Sequence, residues 1–210
     1  EIDSYLENGI NGVIVEDYFG DLKDVQQTLK YLHQFRDNII YGLNYLRDYK
    51  TAFKLAMEFN VKFIQIDSVC GHLPEYKDQE FENELNELRN YANIPLIGGV
   101  RFKYKPYLSG RTLEEDLLLG MHRCNGIVVT GSGTGIETPL DKIKLFREIL
   151  EDFPLIVGAG LTLDNCIDSL SVADAAIVGS YIKNNHRDDG IVSPENVRKL
   201  IQKIDTLRNV

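Results

Sequence analysis

Glu16, Asn44, Asp67 and Lys103 each stand where a short apolar run comes to its end. A carboxylate or amide that finishes a hydrophobic strand is carried to the strand's mouth end. There it can act as a general base or hold a divalent cation, and an ammonium can neutralise a phosphoryl group or an enolate. Asp17, Arg47 and Arg101 accompany them, Asp17 with less claim because adjacent residues on a strand point to opposite faces. A second group is built on glycine: Gly158 and Gly160 in Gly158-Ala159-Gly160-Leu161-Thr162, then Gly179 followed by Ser180. Without a Cβ the backbone N–H groups can approach an anion closely, a following helix N-terminus adds positive potential, and Ser180 adds a hydroxyl. Either glycine set alone reads equally as a tight turn; on consecutive strand–helix units they point to phosphate.

Other motifs are less specific. Thr130-Gly131-Ser132-Gly133-Thr134-Gly135 lacks the lysine of a P-loop and the spacing of a dinucleotide fingerprint. It reads as a loop over the site, a wall of the pocket, or an ordinary long turn. His33 and His122 fall within helices and are assigned to a surface or packing role, His186 lies in a polar loop, and His72 follows the Asp67 strand toward the mouth. No His, Asp and Glu spacing makes a metal signature. The cofactor therefore stays open, with Mg2+ one ion that the mouth carboxylates would suit.

The elements that must position these residues alternate along the chain. Strands are expected over 12–16, 39–46, 62–69, 95–102, 126–130, 154–157 and 175–179. Helices are expected over 24–35, 49–59, 80–91, 113–123, 140–150, 163–169 and 194–207. Thr112 with Glu115 has capping-box spacing, and Ser193-Pro194 sets a capping hydroxyl before a proline at the first helical position. Seven strand–helix units exceed the usual five or six strands of an open doubly wound sheet, so a (β/α)8 barrel (TIM barrel) is the expected fold. Residues 2–8 read as the end of a helix, and the chain opens on Glu1 rather than Met. We therefore expect one domain over 1–210, N-terminally incomplete, with its first strand upstream.

Composition limits the partners. A net charge of −9 argues against nucleic acid, which demands a basic face, while leaving room for a small phosphorylated ligand. No apolar run is long enough for membrane insertion. The three cysteines lack metal spacing and make a poor disulfide framework, which fits a reducing cytoplasm. A homo-oligomer is the base-rate expectation.

The chain also resembles a known family, the BtpA-like (BtpA/SgcQ) proteins. The resemblance is carried by Gly12-Val13-Ile14-Val15-Glu16-Asp17, Gly42-Leu43-Asn44-Tyr45-Leu46-Arg47-Asp48 and Phe63-Ile64-Gln65-Ile66-Asp67. Further on it is carried by Val129-Thr130-Gly131, Val157-Gly158-Ala159-Gly160-Leu161-Thr162 and Ile177-Val178-Gly179-Ser180 with Lys183. It implies a barrel of the ribulose-phosphate-binding kind with an upstream strand rich in proline. It also implies either an enzyme acting on a phosphorylated metabolite or, after the family's name, a factor in photosystem I biogenesis. The pattern is broken at Gly99 and Tyr104, where the family tends to carry Asp and His around the retained Lys103, and at Asp67, where Asn is common.

Overall fold

In the computed structural model, which describes residues 2–208, seven strands form one parallel sheet. They are β1 (Gly12–Glu16), β2 (Ile40–Asn44), β3 (Phe63–Cys70), β4 (Leu96–Val100), β5 (Gly126–Val129), β6 (Leu155–Val157) and β7 (Ala175–Ala176). Eight helices accompany them: α1 (Ile2–Leu6), α2 (Leu22–His33), α3 (Tyr49–Glu58), α4 (Glu75–Ala92), α5 (Leu113–Arg123), α6 (Leu140–Leu150), α7 (Cys166–Leu170) and α8 (Pro194–Arg208). Strand order equals chain order, β1 through β7. A doubly wound sheet must reverse that order at its switch point, and this one never does. Successive right-handed crossovers in one direction put every helix on the same side. The sheet curls, and the C-terminal ends of its strands gather at one mouth.

The central strands are apolar throughout because both their faces are covered. All four residues of β5 and all three of β6 are buried. The helix starts carry the anticipated caps: the Thr112 hydroxyl accepts from Glu115 N, and the Glu115 carboxylate accepts from Thr112 N. Ser193 Oγ accepts from Asn196 N at the start of α8. Some boundaries differ from the periodicity. α4 begins five residues earlier than expected, directly after Pro74. α7 starts only at Cys166, because Asn165 ties a turn by accepting from Thr162 N and donating to Gly160 O. β7 is two residues long, although Ile177 N still donates to Val157 O.

The ring of helices closes where the ring of strands does not. Among the described residues β1 pairs only with β2 and β7 only with β6. Yet α1 packs on α8, with Arg198 Nε donating to Asn8 Oδ1 at 3.1 Å. Val13 and Ile14 are only half-buried and Ala175 is exposed, unlike the apolar residues of β5 and β6. No helix among the described residues is long and apolar enough to cross a membrane. All three cysteines are free and buried, and burial pushes the Cys70 thiol up to about 12.

An ion cluster fixes α4 and α5 behind β3. The Arg123 side chain, 1% exposed, donates to both oxygens of Asp78 at 2.8 and 3.0 Å, to Glu82 at 2.9 Å and to Val69 O at 3.0 Å. Its two bonds to Asp78 hold that carboxyl below the usual carboxylate range against the opposing effect of burial. Removing one partner of such a pair strands the other charge in the interior. Asp78→Ala should cost about 3–5 kcal/mol in urea unfolding. Lys50→Ala, which breaks the exposed Lys50–Glu84 pair, should leave the urea midpoint nearly unchanged. Equal losses would show that the cluster does not carry the weight assigned to it.

Candidate functional site

Parallel register brings Glu16 opposite Asn44 across β1 and β2. Asn44 is buried, and its Nδ2 donates to Glu16 Oε1 at 2.7 Å and to Asp67 Oδ1 at 3.0 Å. One amide thus bridges two carboxylates from the strands on either side of it. The Glu16 side chain keeps one side in solvent but is crowded by the mouth. Desolvation, followed by the charge of Asp67, raises its carboxyl above the ordinary value; the Asn44 hydrogen bond and Lys103 pull the other way.

Lys103 reaches the mouth through a strained turn. Arg101 and Tyr104 both adopt left-handed backbone, φ 48° and 63°, on either side of Phe102 and Lys103. Residues with a Cβ hold this conformation at a cost of about 1–3 kcal/mol, and only where surrounding contacts over-determine it. Those contacts are present. Arg101 turns outward to the fully buried Asp116, its Nε 2.7 Å from Oδ2. Phe102 is buried against Val128 and Ile156. Tyr104 accepts from Thr134 N at 2.7 Å. Lys103 is then held by its own N–H to Thr130 Oγ1 at 3.2 Å and by Nζ to Thr134 Oγ1 at 3.1 Å, with the Phe102 and Tyr104 rings within 6 Å of the ammonium. Arg101 and Lys103, both expected at this strand end, therefore part company.

The glycines also separate by environment. A Cβ on Gly160 would lie 2.3 Å from Glu137 N, and one on Gly158 would lie 2.5 Å from Val128 Cγ1. Gly158 N–H is donated to Val129 O. These two residues let the loop after β6 press against the barrel wall and the 131–138 loop. Gly179 has nothing within 4 Å of where its Cβ would be, and it is exposed beside Ser180. The 131–135 segment forms a wall: it links Lys103 through Thr134 to Ser180, whose Oγ lies 3.3 Å from the missing Cβ of Gly135. Thr130 and Thr134 were not distinguishable in the sequence from other residues of that glycine-rich run. Among the described residues no group of three His, Cys, Asp or Glu side chains is placed to hold a metal.

Two further candidates have structural partners. Asp17 is buried and accepts from Leu46 N at 2.6 Å, and Arg47 lies 3.4 Å from it. Gly99, which breaks the resemblance pattern, has its backbone against Asp67: a Cβ would fall 2.1 Å from Asp67 O and 2.2 Å from the Phe102 ring. No side chain fits there without moving Asp67 or Phe102.

With the geometry in place, comparison with known proteins is informative. The BtpA family model matches residues 1–206. The chain belongs to the BtpA family. It is 30% identical to the uncharacterized protein TK2179 of Thermococcus kodakarensis over 96% of this chain and 82% of that protein. It is 23% identical to the photosystem I biogenesis protein BtpA of Synechocystis, over 96% of this chain and 76% of that one. Among solved structures, a phosphoribosyl anthranilate isomerase from Thermus thermophilus superposes with a TM-score of 0.66 at 16% identity, covering 99% of this chain and 94% of the other. A thiamine phosphate pyrophosphorylase from Pyrococcus furiosus gives 0.66 at 14%, covering 98% and 88%. At that distance the likeness establishes the barrel fold for this BtpA-family chain.

Glu16 supplies a test of the electrostatics. A carboxyl whose folded value is raised binds its proton more tightly in the native state, so ionising it at higher pH costs stability. Glu16→Gln keeps an acceptor for Asn44 and removes the charge. The variant should melt above the parent at pH 7, with the gap closing below about pH 4, where Glu16 is protonated folded or unfolded. Equal melting at pH 7 would mean that the carboxylate is not desolvated.

Proposed function

We propose that the chain is an enzyme that binds a small phosphorylated metabolite, a sugar or nucleotide-derived phosphate, at the C-terminal mouth of its sheet. The observation that carries this reading is the Asn44 bridge. Glu16 and Asp67 are joined through Asn44 at the mouth, and Lys103 is linked through Thr134 to the wall beside the open glycine–serine turn. Gly179 and Ser180 hold the phosphoryl group, and Gly158 and Gly160 shape the turn beside them. Glu16, with its raised carboxyl, exchanges a proton with the ligand, as general acid when protonated and as base when ionised. Asp67 and Asn44 hold Glu16 in place and accept or donate to ligand hydroxyls. Lys103 stabilises the oxyanion that forms when a proton leaves carbon next to a carbonyl. Isomerisation begins this way, aldol-type cleavage leaves the same oxyanion when a hydroxyl loses its proton and the carbon–carbon bond breaks, and group transfer is the third reaction class that suits the layout. The fold relatives named for a phosphoribosyl substrate and a thiamine phosphate support a phosphorylated ligand in such a mouth. Mg2+, brought in with the ligand, would find the Glu16 and Asp67 carboxylates within reach.

We also propose that an eighth parallel strand completes the barrel, lying between β7 and β1. The unpaired edges of those strands and the half-exposed Val13 and Ile14 support it, because open edges invite pairing. The amides of 12–16 that face away from β2 should exchange with solvent quickly in the 210-residue chain and slowly in one extended upstream. Identical exchange would remove this proposal.

A second functional reading, a non-catalytic assembly factor, is favoured by one observation. Tyr18, Phe19, Tyr104, Tyr107, Leu108 and Ile136 are exposed on loops that follow the strands. The decisive experiment is a thermal-shift screen against phosphate, sugar phosphates and nucleotides, with and without Mg2+. The enzyme reading expects saturable stabilisation by a phosphorylated compound, about 2.7 kcal/mol at a hundredfold excess over Kd, lost in Gly179→Asp. Turnover of that compound should fall about 100-fold or more in Lys103→Ala and Asp67→Ala. A screen without any shift, together with a protein partner retained through the exposed aromatics, would favour the assembly factor.

A further inference from the structure

A cavity of ≈ 210 Å3 opens from Asn44 and Asp67 into the space between the β2–α3 and β3–α4 loops, and neither Gly179 nor Ser180 lines it. Its far wall is made by Arg47, Tyr49, Ser68, His72 and Lys105. None of these has a role in the reading above. At about 30 Å3 per water, the space holds roughly seven waters. That is room for a terminal carboxylate or phosphoryl group with a few carbons.

The chemistry of the far wall favours an anion. Lys105 forms no ion pair with a carboxylate among the described residues. Arg47 is paired with Asp17 at 3.4 Å and donates to Gly20 O at 2.9 Å, yet its side chain stays 56% exposed. The two acids that also line the cavity are engaged elsewhere. Asp48 caps α3, accepting from Lys50 N at 3.1 Å, Thr51 N at 3.0 Å and Thr51 Oγ1 at 2.6 Å, and Asp67 accepts from Asn44. His72 packs edge-on against Phe81, with ring centroids 5.4 Å apart, and its Nδ1 is buried without a hydrogen-bond partner. Burial pushes its value down to about 4, so it stays a neutral imidazole that can offer a donor N–H without adding charge.

We propose that this cavity is a second anion subsite, in which Lys105, Arg47 and His72 take a carboxylate or a second phosphoryl group at the far end of the ligand. The inference rests on the phosphate reading at Gly179–Ser180 and narrows it. The ligand is a small metabolite acidic at both ends, with its reactive carbons spanning Glu16, Asn44 and Asp67. A compound with one phosphoryl group fills only half of the mouth.

Isothermal titration of the full chain separates the alternatives. The probes are ribose 5-phosphate, with one anionic end, 6-phosphogluconate, with a carboxylate at the other end, and ribulose 1,5-bisphosphate, with a second phosphoryl. At least one doubly anionic probe should bind about tenfold or more tightly than ribose 5-phosphate, as one added charge-assisted contact predicts. Which one wins identifies the terminal group. Lys105→Met, at an exposed position that should not disturb folding, should bring that compound down to the affinity of ribose 5-phosphate. Equal affinities for all three, with binding still lost in Gly179→Asp, would overturn the second subsite and leave the phosphate reading standing. A tenfold preference that survives Lys105→Met and His72→Phe would overturn the subsite's assignment to this cavity. Failure of every probe to bind would overturn both.

Discussion

Two carboxylates on strands separated by a single strand repel, and a half-desolvated barrel mouth strengthens that repulsion. What makes the arrangement tolerable is the buried amide of Asn44, which donates to Glu16 and to Asp67 from the strand between them. The amide adds no charge of its own. It therefore leaves the pair bridged rather than neutralised, and burial together with the charge of Asp67 still raises the Glu16 carboxyl above its ordinary value. Replacing Asn44 by an apolar residue would remove the only hydrogen bonds described for those two carboxylates, and replacing it by an acid would add a third like charge. The reading of this mouth as a place for proton transfer depends on that single side chain and on the register that sets it opposite Glu16.

Behind the mouth, charge is used for a different purpose. Asp116 holds Arg101 outward, Asp78 and Glu82 hold Arg123, and Arg111 joins the two groups through Asp78 at 2.8 Å. These buried or half-buried pairs lie on the helix side of β3 and β4. They fix the turn at 101–104, in which Phe102 plugs the interior and Lys103 rises beside it. Rigidity on the helix side is thereby converted into position on the mouth side, which is how a short polar constellation keeps its geometry on loops.

The fold was the legible part. Alternating apolar runs and capping signals such as Thr112 with Glu115 are local, and seven units in series leave few architectures. The site was legible only in part. That Glu16, Asn44, Asp67 and Lys103 fall at strand ends follows from pattern. That Glu16 and Asn44 touch follows from strand register, which long-range packing sets. Arg101 and Lys103 look equivalent in the chain and diverge because Asp116 waits on one side only. Gly158, Gly160 and Gly179 are chemically identical in a sequence. Only the approach of other backbone and side-chain atoms tells the packed pair from the open one. Thr134, which receives Lys103, is thirty-one residues away from it and carries no local signal at all.

The contact at Gly160 bears on how such a protein can diversify. Its Cα passes so near the backbone of Ile136 and Glu137 that no side chain can be admitted. The turn after β6 and the glycine-rich wall after β5 are therefore one inherited unit. A descendant that placed even alanine at position 160 would have to rebuild residues 136–137 in the same lineage. This quadrant of the mouth can change only by paired replacement, as can the turn after β4, where a side chain at Gly99 would meet Asp67 O and the Phe102 ring.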